Sequence, residues 1–192
     1  MDDRRKLGIL SKTARALREA GVRWALGASA MLYFNGLVET YHDFDLLIAK
    51  GDMPATLAVF TALGAKALPL APVGGDYATA EFRQYTLGGM GFDLLCGFAV
   101  RRDNKTYPYP FDETRVAGYA QALTERVPLA PLADWWVLYQ LMRGREEKAA
   151  LLERHLRAHP DEESRALLGQ WLRRRLPSDI RERVMQLYRT LP

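Results

Sequence analysis

The sequence predicts an α+β fold in which strands and helices alternate over residues 1–130 and helices alone fill residues 131–192. Three observations carry that reading. Apolar residues recur at helical spacing from about Arg4 to Ala20, and again in four runs beyond Pro131. Between them lie short apolar and aromatic segments bounded by glycines, among them Val22 to Leu26, Asp43 to Ala49, Glu81 to Leu87 and the stretch around Asp93. Finally, the composition shifts between Pro128 and Pro131, which marks the expected boundary between an N-terminal domain of residues 1–130 and a C-terminal helical domain of residues 131–192.

Leu7, Leu10, Ala14 and Leu17 place one apolar face on the first helix, and Gly21 stops it. A strand follows from Val22 to Leu26, then a small-residue turn at Gly27-Ala28-Ser29 and a helix through Phe34. The next strand, Asp43 to Ala49, leads to Asp52-Met-Pro54, read as a cap with proline in the first turn of a helix that stops at Gly64. Ala65 to Leu70 is expected to be a strand, and Pro69, Pro72 and the Gly74-Gly75 pair a loop. Glu81 to Leu87 and the Asp93 segment, joined by Gly88-Gly89, read as a hairpin. Arg101 to Asp112, polar and rich in proline and tyrosine, is read as a surface loop, and Glu113 to Leu129 as one or two short strands. In the C-terminal part Leu132, Trp135, Trp136, Tyr139 and Met142 share a broad helical face up to Gly144. Helices from Glu146 to Ala158, from Pro160-Asp-Glu-Glu163 to Arg173-Arg-Arg175, and from Pro177-Ser178 to near Leu191 complete the chain.

Composition removes several function classes. Of the 192 residues 48% are hydrophobic and 26% charged, which is ordinary for a folded domain and unlike a disordered one. A net charge of +4 is compatible with polyphosphate or nucleic-acid partners without requiring them. Cys96, the one cysteine, rules out an intrachain disulfide and sits in an apolar strand, as a core thiol would. No apolar run approaches the ~20 residues of a membrane span, and the charged Met1-Asp-Asp-Arg-Arg-Lys6 does not resemble a signal peptide, so a cytoplasmic protein is expected.

The chemistry concentrates around Asp43-Phe-Asp45. On a strand, alternate side chains share a face, so both carboxylates point the same way with Cα atoms about 7 Å apart, while Phe44, Leu46 and Ile48 point to the other face. Such a pair repels unless a cation stands between, and carboxylate oxygens are the ligands hard Mg²⁺ prefers. Asp93, in Gly91-Phe-Asp-Leu-Leu-Cys-Gly-Phe98, sits in a similar setting. If its strand lies beside the first, three carboxylates converge opposite the Gly27 turn. An exposed strand end or an Asx turn is the other reading of a lone Asp-x-Asp. The small residues Gly27, Ala28 and Ser29 would let backbone N–H groups approach a phosphate, or would simply allow close strand-to-helix packing. Arg143, Arg145 and Lys148, in Arg143-Gly-Arg-Glu-Glu-Lys148, could meet a triphosphate or be solvated helix-end charges.

A hydrophobic residue, Gly27 with small residues, a helix, Asp43-Phe-Asp45 and the later Asp93 together resemble the signature of the DNA polymerase beta-like nucleotidyltransferase superfamily, and more narrowly its small bacterial two-domain members. The resemblance covers roughly the first two-thirds of the chain. It implies a mixed sheet with flanking helices, a two-metal Mg²⁺ site, and transfer of a nucleoside monophosphate from an NTP. It also implies that Asp43 and Asp45 hold both metals, while Asp93 holds the catalytic one and helps activate the acceptor hydroxyl. The acceptor (tRNA, protein or small molecule) is not specified. Two departures stand out: Ala28 occupies a place where the family has Gly or Ser, and Glu39 and Tyr41 replace an Arg and a Thr found before the aspartates in toxin-like members. These departures favour the rival expectation, an inactive module of the same fold that binds a nucleotide or a protein partner.

Overall fold

The computed structural model describes residues 1–69 and 75–192, so of the loop expected around Pro69 to Gly75 the segment 70–74 lies outside the described residues. Two compact units divide the chain. The first comprises residues 1–69, 79–98 and 109–130; the second comprises 75–78, 99–108 and 131–192.

The first unit is built on a mixed seven-stranded sheet. In chain order it contains α1 (Asp3–Glu19), β1 (Trp24–Leu26), α2 (Ala28–Phe34), β2 (Asp43–Ile48), α3 (Met53–Ala62), β3 (Lys66–Ala67), β4 (Glu81–Leu87) and β5 (Met90–Cys96). The second unit's hairpin β6 (Ala99–Arg102) and β7 (Lys105–Pro108) interrupts before β8 (Gly118–Ala122) and β9 (Glu125–Leu129) return to the first. The sheet order is β3-β4-β5-β2-β1-β9-β8. β2 pairs with β5 in parallel and with β1 antiparallel, which puts the two aspartate strands side by side at the sheet centre.

Burial follows the alternation of these strands. Phe44, Leu46, Phe92 and Leu94 are fully buried on one face, where the Phe44 and Phe92 rings lie 5.1 Å apart and Phe60 of α3 meets Phe92 edge-on at 5.2 Å. Helix α1 packs its Leu10, Ala14 and Leu17 stripe inward and touches β8, β9 and α3. Asp2 rather than a later residue caps it, accepting a hydrogen bond from the Arg5 amide at 2.8 Å. Asp52 is the N-cap residue of α3, as its sequence position suggested, but its carboxylate makes no capping hydrogen bond. Its carboxylate instead accepts the Arg23 amide and guanidinium at 2.9 Å each, because a bidentate charged donor is stronger than a lone helix amide.

The second unit gathers α4 (Leu132–Leu141), α5 (Glu146–Ala158), α6 (Glu162–Leu172) and α7 (Ser178–Thr190) with the β6–β7 hairpin. All residues of α4 from Ala133 to Leu141 are buried, so it is the central helix of this unit. Trp136 and Trp171 are buried, and the Trp171 indole N–H donates to the fully buried Asp134 at 2.7 Å. Asp161 caps α6 through the Ser164 amide at 2.7 Å. Within the region 101–112, expected to be a surface loop, residues 101–108 instead belong to the β6–β7 hairpin. Its turn is Asp103-Asn104, both in the left-handed region with φ of 50° and 58°, a two-residue connection that Asp and Asn tolerate better than other side chains. Of the strand expected over Ala65 to Leu70, the described residues 65–69 contain the two of β3, and Leu70 lies outside the described residues.

Candidate functional site

The parallel pairing of β2 and β5 decides where the carboxylates stand. Its register sets Asp43 against Gly91 and Asp45 against Asp93. Strand alternation then puts Asp43, Asp45 and Asp93 on the face opposite the Phe44–Phe92 cluster, each half-buried. A Cβ at Gly91 would stand 3.4 Å from the Asp43 Cβ, about ordinary van der Waals contact, so the two positions are immediate neighbours across the strands. The Gly27 turn joins this edge from β1: Leu26 pairs with Leu46, and the Gly27 amide donates to the Asp45 carbonyl at 2.9 Å. Gly27, Ala28 and Ser29 therefore lie next to Asp45.

Ala28 takes φ of 45°, the left-handed region that L side chains enter at a cost of roughly 1–2 kcal/mol. The backbone at this point has the shape a glycine would adopt freely, kept in spite of the methyl group. Ser29 is half-exposed one residue further on.

Electrostatics single out Asp93. Burial pushes its carboxyl above the ordinary aspartate range, and the neighbouring Asp43 charge pushes the same way. A hydrogen bond from the Gln84 amide, 2.9 Å from Asp93 Oδ1, opposes them. Gln84 was not anticipated from sequence, although the signal was present: the Gly88-Gly89 turn pairs Leu87 with Met90, and that register puts Gln84 directly across from Asp93. Among the described residues, no three His, Cys, Asp or Glu side chains are drawn together as a finished metal-ligand cage. The donor set nevertheless fits a hard cation, since three carboxylates on one face, one of them destabilised by burial and by its neighbour, gain from positive charge.

The remaining sequence candidates have other settings. Tyr41 is core: it is 1% exposed, its ring packs on Phe44 at 5.3 Å, and burial pushes its hydroxyl up to about 12. Glu39 and His42 are exposed. Arg143, Arg145 and Lys148 belong to the second unit. There the Arg143 amide donates to Asp76 at 2.8 Å, Lys148 lies over the Tyr139 ring at 5.6 Å, and Arg145 is exposed ahead of α5. Arg174, from the basic run at the end of α6, stacks on Trp171 at 5.2 Å and donates to the Pro108 carbonyl, a structural role.

Among solved structures, the chain is similar to a candidate nucleotidyltransferase of Thermotoga maritima, with TM-score 0.58 and 17% identity over 83% of this chain and 97% of the other. It is also similar to the antibiotic-resistance factor ANT(2'')-Ia. The complex of that protein with adenylyl-2''-tobramycin aligns at TM-score 0.56 and 12% identity, over 96% and 97% of the two chains. Its solution structure aligns at 0.57 and 14%, over 86% and 90%. The chain has a nucleotidyltransferase fold. No protein-family model and no curated protein matches it. At such low identity these likenesses establish the fold alone. Among the described residues, no helix is long and apolar enough to cross a membrane.

Proposed function

We propose that this protein belongs to the polymerase beta-like nucleotidyltransferases and transfers a nucleoside monophosphate from an NTP to an acceptor hydroxyl, with Mg²⁺ as cofactor. The observation that carries this reading is the β2–β5 register, which sets Asp45 against Asp93 with Asp43 on the same face and the Gly27 turn alongside. Asp43, Asp45 and Asp93 would hold the metal. Bound Mg²⁺ supplies charge neutralisation for the triphosphate and for the oxygens of an in-line displacement. In that displacement the acceptor oxygen bonds to the α-phosphorus, the bond to the bridging oxygen breaks, and pyrophosphate leaves. Asp93 is suited to take the acceptor proton, because its carboxyl is already displaced toward neutral pH by burial. Gln84 holds one Asp93 oxygen in place and leaves the other for that task. The backbone of Gly27, Ala28 and Ser29 is proposed to approach the phosphates.

The rival reading, a nucleotide-binding module without turnover, is favoured by Ala28 in its left-handed conformation and by the looseness of the carboxylate set. Incubation with each labelled NTP and candidate acceptors, with Mg²⁺ or chelator, separates the two. Mg²⁺-dependent pyrophosphate release that is lost in Asp93→Asn supports the transferase. Saturable NTP binding without release supports the module.

A further inference from the structure

The two edges of the seven-stranded sheet differ. At one, β3 is two residues long and carries Lys66, the short charged form in which proteins blunt an exposed edge. At the other, β8 runs five residues, Gly118-Tyr-Ala-Gln-Ala122, with no charge and no proline, and no strand lies beyond it among the described residues. Its pairing with β9 shows which backbone groups it leaves unused. In an antiparallel ladder, directly opposed residues alternate between exchanging both hydrogen bonds and exchanging none. Tyr119 stands opposite Pro128, which has no N–H to give, and Gln121 opposite Arg126. Ala130 turns its N–H toward Leu26 of β1, whereas the Leu129 carbonyl turns to the β8 side and accepts from the Ala117 amide at 3.0 Å. Tyr119 and Gln121 therefore hold the non-bonded positions, and their N–H and C=O groups point out of the sheet.

The side chains along this edge are as unprotected as its backbone. Tyr119 is 56% exposed. Leu123, in the turn to β9, is 49% exposed with φ of 52°, a left-handed position where Gly, Asn or Asp is usual, and an apolar side chain there gains if a partner covers it. The edge is also complementary to itself. An antiparallel copy centred on Ala120 sets Tyr119 against Gln121 of the second copy and Gln121 against its Tyr119, each pair exchanging two hydrogen bonds through the outward groups. Gly118, Ala120 and Ala122 share the other face of the strand, where their small side chains leave space for the approach. Arg126, stacked on the Tyr119 ring at 4.0 Å, belongs to β9, one strand in from the edge, so the two copies of its charge are not brought together. An extended segment of another protein would have no charge on β8 to read, whereas a second copy meets the edge with residues already there. We propose that β8 pairs antiparallel with β8 of a second copy about a two-fold axis through Ala120, joining the two sheets into one. Directly paired residues keep to one face, so the axis is normal to the sheet and both carboxylate faces lie on the same side of it.

The test is made on the full chain, by sedimentation velocity over a wide range of protein concentration and by amide hydrogen exchange at both ends of that range. Wild type should shift from one chain mass toward two as concentration rises. The amides of Tyr119 and Gln121 should slow in step, while that of Ala120, bonded within the sheet to Val127 by the same alternation, changes little. Two double variants probe the register through exposed side chains, with a melting curve of each to check its folding. Tyr119→Lys with Gln121→Lys sets like charges opposite each other and should leave the chain monomeric throughout. Tyr119→Lys with Gln121→Glu sets opposite charges across the axis and should restore the dimer. Should either variant fold poorly, the exchange pattern of wild type decides alone. A wild type monomeric at every concentration would overturn the proposal and leave the edge to a different partner. A dimer that leaves both amides unprotected, that survives the like-charge variant, or that is lost in both variants would overturn it as well.

Discussion

Asp134 and Asp93 are both withdrawn from solvent, and the two units treat them in opposite ways. Asp134 lies in the first turn of α4, fully buried, with the Trp171 indole donating to it at 2.7 Å inside a packed helical core. Asp93 lies half-buried on a strand, accepts one hydrogen bond from Gln84, and faces the charge of Asp43. The first carboxylate accepts from a buried indole and works as a structural acceptor. The second shares a face with like charges, and such an arrangement is useful only if something positive or protonic comes to it. What separates the two is the company each side chain keeps more than its depth.

The largest expected effect breaks the structural member of the pair. Trp171→Ala removes a buried ring together with the donor to Asp134, and should cost about 3–5 kcal/mol. In a chain of this size that is a fall of roughly 6–20 °C in melting temperature. Asp93→Asn should do the opposite at neutral pH. The folded state binds a proton at Asp93 more readily than the unfolded state does. Its contribution therefore favours folding below the unfolded aspartate pKa and is lost as pH rises through the raised folded value. The substituted carboxamide would still accept from Gln84 and carries no charge. Melting curves across pH 3–8 should show the variant gaining on wild type over that window and then holding a constant advantage. A variant that loses stability at pH 7 would place Asp93 among the structural carboxylates instead.

Gln84→Leu sharpens the same comparison. Removing the donor takes away the one influence that lowers the Asp93 pKa, so titration by NMR should find the carboxyl higher still. The smallest effect is expected at the turn. Ala28→Gly relieves a left-handed alanine, and the gain is partly offset by the looser unfolded chain, so stabilisation should not exceed about 1 kcal/mol. A loss on denaturant unfolding would show that the alanine methyl is packed rather than strained.

The sequence made the carboxylate face legible because strand periodicity is strict: Asp43 and Asp45 had to share a side, and Phe44 had to be opposite. The helices from Pro131 onward were legible for a similar reason, in their apolar spacing and their capping residues. Pairing was not. The parallel β2–β5 register is a long-range choice that nothing local specifies, and it alone brings Asp93 beside Asp45. The β6–β7 hairpin escaped because its composition resembles a loop, and only Asp103-Asn104 signalled the turn. The Arg23 partner of the Asp52 carboxylate was not legible, because it is a tertiary neighbour.

The central claim is that Asp43, Asp45 and Asp93 act as one cation-binding face. The most direct measurement is a set of melting curves for wild type and Asp45→Asn, each with Mg²⁺ and with chelator. Metal binding to the folded state should stabilise wild type by about 2.7 kcal/mol when free Mg²⁺ is roughly a hundredfold above its dissociation constant. In Asp45→Asn that shift should shrink, while the metal-free melting temperature should stay level or rise as one like charge is removed. An equal Mg²⁺ shift in both proteins would contradict the account, because the metal would then bind somewhere other than this face.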